Sequence, residues 1–164
     1  MALVIEDGSI VPGADSYSTV AELDAYATNY GVTIPDDDAA KESVLRRAYL
    51  EMNAMPWKGE PVSMDQTGAW PRYDVCRGRF ILPSDSIPPS VKQGQMALAA
   101  EIHGDDLVDP DTKQGAITRE KTGPLETEYA TISKSASKPA ATRQSYAQFT
   151  GLLESSNQIK LVRG

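Results

Sequence analysis

Two tryptophans set thirteen positions apart constrain this fold more than any other feature of the chain. Trp57 opens the phrase Trp57-Lys58-Gly59, and Trp70 lies in Ala69-Trp70-Pro71-Arg72, with Gln66 shortly before it. Both fall in a stretch, 57–83, that is rich in glycine, proline and polar residues and in which only 79–82 resembles a strand. Irregular loops of this length are uncommon in compact domains and are usually functional or disordered. Two large apolar rings argue against disorder. They predict either a loop pinned onto helices or a direct contact with another subunit.

Length and composition predict a single core or a core with arms. The chain has 164 residues, of which 40% are hydrophobic, so it can bury a core without help from disulfides. Its one cysteine, Cys76, excludes an intrachain disulfide. No apolar run is long enough to span a membrane, and the first residues lack the basic region of a signal peptide. We therefore expect that the protein has no membrane partner and is located in a cytoplasm after its synthesis.

Charge is distributed unevenly along the chain. Residues 1–111 contain 19 acidic and 8 basic side chains, a net charge of −11, whereas residues 112–164 contain 4 and 8, a net charge of +4. A general nucleic-acid binder needs clustered positive charge to displace counterions from phosphates. The acidic body argues against that class, and the basic last third suggests a partner that accepts it.

Three helices are predicted from caps and periodicity. Thr19 and Glu22 form a capping box for the first helix, which Gly31 ends. The acidic run 36–38 favours the amino end of a second helix, with Lys41 facing outward, and Pro56 ends it. A proline-led start near Pro89 predicts a third helix that ends at Gly104. Its small residues permit close approach of a neighbouring helix. They are Gly94, Ala97, Ala99 and Ala100.

The rest of the chain predicts a hairpin and two extended arms. Alternating residues in 115–129 around a Thr-Gly-Pro turn indicate a β-hairpin in which Arg119 and Lys121 oppose Glu126 and Glu128. Residues 133–142 have linker composition, and a short amphipathic helix follows. The expected fold is mainly α, a small bundle of three to four helices with a β-hairpin and extended N- and C-terminal arms. Residues 1–132 would form the core with the N-terminal arm and hairpin, and 133–164 a linker, short helix and docking tail.

No group of residues suited to catalysis is evident. His103 is the sole histidine, and it has neither a cysteine nucleophile nor a serine motif near it in the sequence. Four aspartates in 105–111 have a spacing that suggests a calcium loop, but the glycine and final glutamate of such a loop are missing. The glycines follow no phosphate-binding or dinucleotide-binding pattern. We expect no enzyme activity, no catalytic residues, no metal site and no cofactor.

Short phrases spread along nearly the whole chain resemble a family of small proteins of tailed bacteriophages. Each phrase is weak alone, but together they occur in a consistent order. They are Val4-Ile5-Glu6-Asp7-Gly8, Val11-Pro12-Gly13-Ala14, Ser16-Tyr17, Ala21-Glu22-Leu23-Asp24-Ala25-Tyr26, Leu45-Arg46-Arg47-Ala48, the two tryptophan phrases, Ile87-Pro88-Pro89-Ser90-Val91-Lys92, Arg119-Glu120-Lys121, Gly123-Pro124-Leu125-Glu126 and Leu161-Val162-Arg163-Gly164. Members resemble head-tail connector or adaptor (head completion, neck) proteins and are often labelled DnaT-like single-stranded-DNA-binding proteins.

The resemblance implies a structural virion protein. It implies a ring, expected to hold about twelve copies, that binds the portal protein and offers a docking platform for tail or neck proteins. Double-stranded DNA would pass through without specific binding, because an acidic lumen repels phosphates. The expected location is the virion's head-tail interface, and the host cytoplasm during assembly. Subunit or portal interface residues would be Trp57, Trp70, Arg72, Tyr146, Phe149, Ile159, Lys160, Leu161, Val162 and Arg163.

A single-stranded-DNA-binding protein acting in phage replication is the alternative function. Such proteins stack bases on aromatic rings beside a basic groove. Arg72, Arg77 and Arg79, near Trp70 and Tyr73, are the residues that favour it.

Overall fold

The protein is mainly helical, as the sequence predicts. The structure is a computed structural model that describes residues 2–106, 117–121, 126–129 and 143–154. Its helices are α1 (Val20–Tyr30), α2 (Asp38–Asn53), α3 (Pro89–Asp106) and α4 (Gln144–Gln148). Three two-stranded antiparallel sheets accompany them, and each pairs neighbouring strands. The strands are β1 (Glu60–Pro61), β2 (Arg72–Tyr73), β3 (Cys76–Arg77), β4 (Phe80–Ile81), β5 (Ile117–Lys121) and β6 (Glu126–Tyr129).

The helix ends follow the predicted local chemistry in most places. Thr19 and Glu22 form the reciprocal capping box of α1, and Gly31 ends it in the left-handed conformation at φ 63°. Asp37 caps α2 by accepting from the Ala40 amide, 3.1 Å away. The predicted end of α3 at Gly104 is wrong by two residues, because the helix continues to Asp106. Asp106 pairs there with Arg47 of α2, which ties the two helices together.

Lys41 departs from its predicted outward position. It is 9% exposed, and its Nζ lies 2.9 Å from a carboxylate oxygen of Asp24 on α1. The aliphatic stem of a lysine can cover apolar surface while the ammonium reaches a charged partner. Lys41 therefore contributes to the contact between α1 and α2 instead of facing solvent alone.

A buried glutamine joins three parts of the core. The Gln95 side chain on α3 is fully buried, and its oxygen accepts from the Tyr17 amide at 2.9 Å. Its amide nitrogen donates to the Ser16 hydroxyl and to the Leu45 carbonyl, each at 3.0 Å. A buried amide with all these groups satisfied fixes one arrangement of its neighbours. Gln95 thus sets how α2, α3 and the segment before α1 fit together.

The N-terminal arm folds around a buried carboxylate. Glu6 is 1% exposed and accepts hydrogen bonds from the backbone amides of Gly8, Ile10 and Val11, at 2.8 to 3.0 Å. Gly8 has a φ of 112°, and a Cβ there would overlap the backbone of Asp85. The arm is therefore closed on itself and packed against the segment that leads into α3.

The C-terminal described segment packs onto α3 through an aromatic ring. Phe149 follows α4, is fully buried, and lies against Gly94, where a Cβ would overlap three atoms of the ring. Glu101 of α3 accepts from both the amide and the hydroxyl of Ser145. The prediction that small residues of α3 admit a close neighbour is confirmed. The division into 1–132 and 133–164 stays a prediction, although residues 143–154 share the core of the first segment.

The predicted hairpin is confirmed in the backbone of β5 and β6. The register sets Arg119 opposite Glu128 and Lys121 opposite Glu126, as the alternation of charge indicated. The predicted strand at 79–82 is shorter in the structure, since β4 covers only Phe80–Ile81. None of the described helices has the length and apolar character needed to cross a membrane.

Candidate nucleic-acid interface

The stretch from Trp57 to Leu82, called here the Trp loop, is pinned to the helices by its two tryptophans. Trp57 and Trp70 are 4% and 0% exposed, and their rings meet edge to face with centroids 5.6 Å apart. Trp57 also meets the Phe149 ring at 5.0 Å, and its indole nitrogen donates to the Met52 carbonyl. The Trp70 amide donates to the buried Tyr17 hydroxyl at 3.0 Å. This burial agrees with the interpretation that both rings hold the loop onto the helices.

Arg72 closes the Trp loop from inside. Its guanidinium donates to four backbone carbonyls, those of Trp57, Lys58, Gly59 and Ala69, at 2.6 to 3.4 Å. Burial lowers the pKa of Arg72 below its ordinary value, yet arginine remains charged at neutral pH. Four of its five N–H groups donate to carbonyls of the loop. Arg72 therefore holds the loop in shape and has little capacity left to bind phosphates.

A hairpin formed by β3 and β4 extends from the pinned loop. Val75 at its base is fully buried, and its carbonyl accepts from the Leu82 amide at 2.9 Å. Beyond that base, every residue from Cys76 to Ile81 is exposed. Phe80 is 78% and Ile81 72% exposed, so two neighbouring large apolar side chains lie at the surface of the hairpin. The base is anchored in the core, and the tip is presented to solvent.

The hairpin register places an aromatic ring beside a cation. Arg77 and Phe80 are directly opposite each other across the two strands. Opposite residues of an antiparallel pair project to the same face of the sheet. Gly78 turns the chain between them at φ 66°, a conformation that suits glycine. Arg79 completes the turn, so two guanidinium groups and one exposed ring lie within four consecutive residues.

Arg77 and Arg79 differ from the other bases of the acidic body. Six of the eight basic residues in 1–111 are engaged within the described structure: four pair with carboxylates and two donate to backbone carbonyls. They are Lys41, Arg46, Arg47, Lys58, Arg72 and Lys92. Arg77 and Arg79 make no hydrogen bond or ion pair with any residue that the structure describes. These two charges are therefore available to an external anion.

Two shallow clefts are lined largely by residues of the Trp loop. The larger, called here the Asn53 cleft, has a volume of about 450 Å³ and is lined by Asn53, Trp57 and Arg72 among others. The second, of about 320 Å³, is lined by Tyr73, Met64 and Glu60 among others. Pro61 and Gly68 line both clefts, so the two are adjacent. Tyr73 is 43% exposed, lines the second cleft and lies three residues before β3 begins.

The predicted interface residues lie in different settings. The rings of Trp57, Trp70 and Phe149 are buried in the core. Arg72 donates hydrogen bonds to backbone carbonyls of the loop. The Tyr146 ring meets the Phe149 ring edge to face, with centroids 6.4 Å apart. An interface role for them stays a prediction. Five further predicted residues fall outside the described residues. They are Ile159, Lys160, Leu161, Val162 and Arg163.

Sequence reasoning missed Phe80. It named Arg77 and Arg79 for the alternative function, but it paired them with Trp70, which the structure buries. The signal that could have found Phe80 is the Gly78 turn, which sets a short hairpin and so puts Phe80 opposite Arg77. Among the residues described, no group of three or more His, Cys, Asp or Glu side chains could hold a metal ion.

A comparison with protein families gives a match that spans the whole chain. A family model described as "Putative DnaT-like ssDNA binding protein" matches residues 1–164. No curated protein and no solved structure matches the chain. The match confirms the label that the resemblance carried but contradicts its main functional expectation. A structural head-tail adaptor is wrong on this finding, because the family description names a binder of single-stranded DNA. The predicted portal, tail proteins and twelvefold ring have no support in the match, and DNA is the partner that it indicates.

Proposed function

This chain belongs to the family of DnaT-like single-stranded-DNA-binding proteins, and we propose that it binds single-stranded DNA at the β3–β4 hairpin of the Trp loop. The observation that carries this proposal is the pair Arg77 and Arg79, whose guanidinium groups lack protein partners within the described structure, beside the exposed Phe80. Binding alone is the proposed function, with no catalytic step.

Each part of the hairpin has a role in this binding. Arg77 and Arg79 neutralise backbone phosphates and release their counterions. Phe80, and Tyr73 at the neighbouring strand, offer rings on which unpaired bases stack, an interaction that is open to every base because each has a π face. Bases inside a duplex are already stacked on each other, so these rings favour single strands.

The acidic body limits where the strand can lie. Its net charge of −11 over residues 1–111 repels phosphates over most of the surface. Only a local excess of unpaired cations overcomes this repulsion, and within residues 2–106 the basic side chains without a described partner are Arg77 and Arg79 of the hairpin. We therefore propose a short contact of a few nucleotides at the hairpin.

The proposal is tested with a fluorescently labelled oligothymidylate and a salt titration of its anisotropy. Removing two phosphate contacts in the Arg77→Ala/Arg79→Ala protein should reduce the slope of log K against log salt by about 1.4. Arg47→Ala is the matched control, since it removes an exposed arginine that already pairs with Asp106. The slope should barely change in the control. Absence of binding by the wild-type protein at about 0.15 M salt, or equal slopes in all three proteins, would refute the proposal.

Stacking is tested separately with Phe80→Ala. Loss of one base–aromatic stack should weaken binding roughly tenfold, with the salt slope unchanged. Leu50→Ala is the control, because Leu50 is also an exposed apolar side chain, at 68%, but lies on α2. Equal affinities for the two variants would exclude Phe80 as a stacking platform.

A further inference from the structure

We infer that the Asn53 cleft binds one base of the strand and prefers bases that carry a carbonyl oxygen. This inference rests on the proposed function and adds to it a class of base. The cleft is open to solvent, and its volume of about 450 Å³ lies within the ~300–1,000 Å³ range of small-ligand sites. Its walls combine apolar surface with three polar side chains, those of Asn53, Thr67 and Arg72. The apolar contributors are Met55, Pro56, Trp57, Pro61 and Ala69.

The orientation of the Asn53 amide is set by the protein. Its Oδ1 accepts from the Ala69 backbone amide at 2.8 Å, and only the oxygen of an asparagine can accept. The Nδ2 group must therefore point to the other side. No described residue accepts a hydrogen bond from this NH2 group, and Asn53 lines the cleft. A fixed donor without an acceptor among the described residues remains at the cleft wall.

Arg72 supplies positive charge at the same cleft. Its four bonds to carbonyls leave one N–H on Nη1, and no carboxylate of a described residue pairs with it. The Arg72 guanidinium is partly removed from water, and a hydrogen bond is stronger in such surroundings than in bulk water. It therefore attracts a further acceptor more strongly than a solvated guanidinium would. The cleft therefore offers donors and positive charge, and it suits a planar group that carries acceptors.

Adenine matches this chemistry least well of the four DNA bases. Thymine, cytosine and guanine each carry a carbonyl oxygen, whereas adenine accepts only at ring nitrogens, and two of these, N1 and N7, flank an amino group whose N–H groups would face the donors of the cleft. The place of the cleft also fits a bound strand. Tyr73 lines the adjoining cleft and directly follows Arg72, so a strand held at the hairpin can pass over Tyr73 to reach Asn53.

Asn53→Asp tests the inference with a minimal change. The carboxylate keeps an acceptor for the Ala69 amide but replaces the donor. The added negative charge weakens binding to every oligonucleotide, so the informative quantity is the ratio of affinities for oligothymidylate and oligodeoxyadenylate. We expect this ratio to fall by about 3- to 10-fold, the worth of one hydrogen bond. A thymidine preference that comes from backbone flexibility alone would survive the substitution.

The outcomes separate this inference from the function on which it rests. An unchanged ratio together with intact binding would overturn the base preference and leave the proposed function standing. An oligonucleotide of abasic sites gives a second arm: if Asn53→Asp weakens its binding as much as that of oligothymidylate, the loss comes from the added charge and not from a contact with a base, which also overturns the inference. Absence of DNA binding by the wild-type protein would refute both the base preference and the proposed function.

A measurement on the wild-type protein tests the inference without depending on whether the Asn53→Asp variant folds. The Asn53 side-chain NH2 signals in a ¹⁵N-correlated NMR spectrum should shift on addition of oligothymidylate, and shift less with oligodeoxyadenylate. The Gln66 side-chain NH2 group is an internal control, because it donates to the Gly68 and Pro71 carbonyls within the loop. Equal shifts of the Asn53 signals with both oligonucleotides would contradict the inference.

Discussion

Gly94→Ala should destabilise the protein, although alanine is the better helix former. Gly94 lies inside α3, where replacing glycine by alanine usually gains about 1 kcal/mol. A Cβ at this position would overlap three atoms of the Phe149 ring, and even the most distant, Cδ1, would be only 2.8 Å away. Ordinary carbon contacts are about 3.5–4.0 Å, so the ring would have to retreat by roughly an ångström or more.

The surroundings leave Phe149 no room to retreat. Its side chain is fully buried and meets the Trp57 ring at 5.0 Å and the Tyr146 ring at 6.4 Å. Expelling the ring would approach the cost of truncating a buried phenylalanine, about 3–5 kcal/mol. With the helix gain subtracted, we expect Gly94→Ala to lower the free energy of unfolding by about 2–4 kcal/mol.

Urea denaturation followed by tryptophan fluorescence measures this change, since both tryptophans are in the core. Gly104→Ala is the matched control: it lies in the same helix, and nothing is within 4 Å of its Cβ position. Gly104→Ala should leave the free energy of unfolding unchanged or raise it by up to about 1 kcal/mol. In a Phe149→Ala background, Gly94→Ala should also cease to be destabilising. Equal effects of the two glycine substitutions in the wild-type background would refute the packing argument.

Two further predictions concern the buried glutamine and an ion pair. Gln95→Leu removes the acceptor of the buried Tyr17 amide and should lower the free energy of unfolding by about 1–3 kcal/mol, as urea denaturation would show; an unchanged midpoint would contradict the role of Gln95. The hydrogen bond from Arg47 lowers the pKa of Asp106 below its ordinary 3.8, so the stabilisation is present above that value and is lost as pH falls through the folded pKa. Asp106→Asn should therefore make the urea midpoint less sensitive to pH below about 4; identical pH profiles for both proteins would exclude this contribution.

Local chemistry made much of the fold predictable. The capping box at Thr19, the left-handed Gly31 and the proline at the start of α3 act through their own backbone, so sequence alone could place them. The pairing of β5 with β6 followed from the alternation of apolar and polar residues on both sides of a turn, which is again a short-range property.

The candidate site was less predictable because it depends on contacts between distant parts of the chain. Arg72 looks like a phosphate ligand in the sequence, but its neighbours in space are carbonyls of the loop that it closes. Helical periodicity predicts that Lys41 is exposed, but its ammonium group pairs with Asp24 on another helix and the residue is buried. Arg77 and Arg79 were candidates from the sequence together with Arg72, but they could be separated from Arg72 only once the partners of the other six bases were known.

Mapping a photo-crosslink tests the central claim most directly. A single-stranded oligonucleotide containing 5-iododeoxyuridine would be irradiated with the wild-type protein, and the crosslinked peptides identified by mass spectrometry after trypsin digestion. The account predicts crosslinks in peptides 73–77 and 80–92, which contain Tyr73 and Phe80. Crosslinks confined to α1 or α2, or none at a concentration where the oligonucleotide is bound, would contradict it.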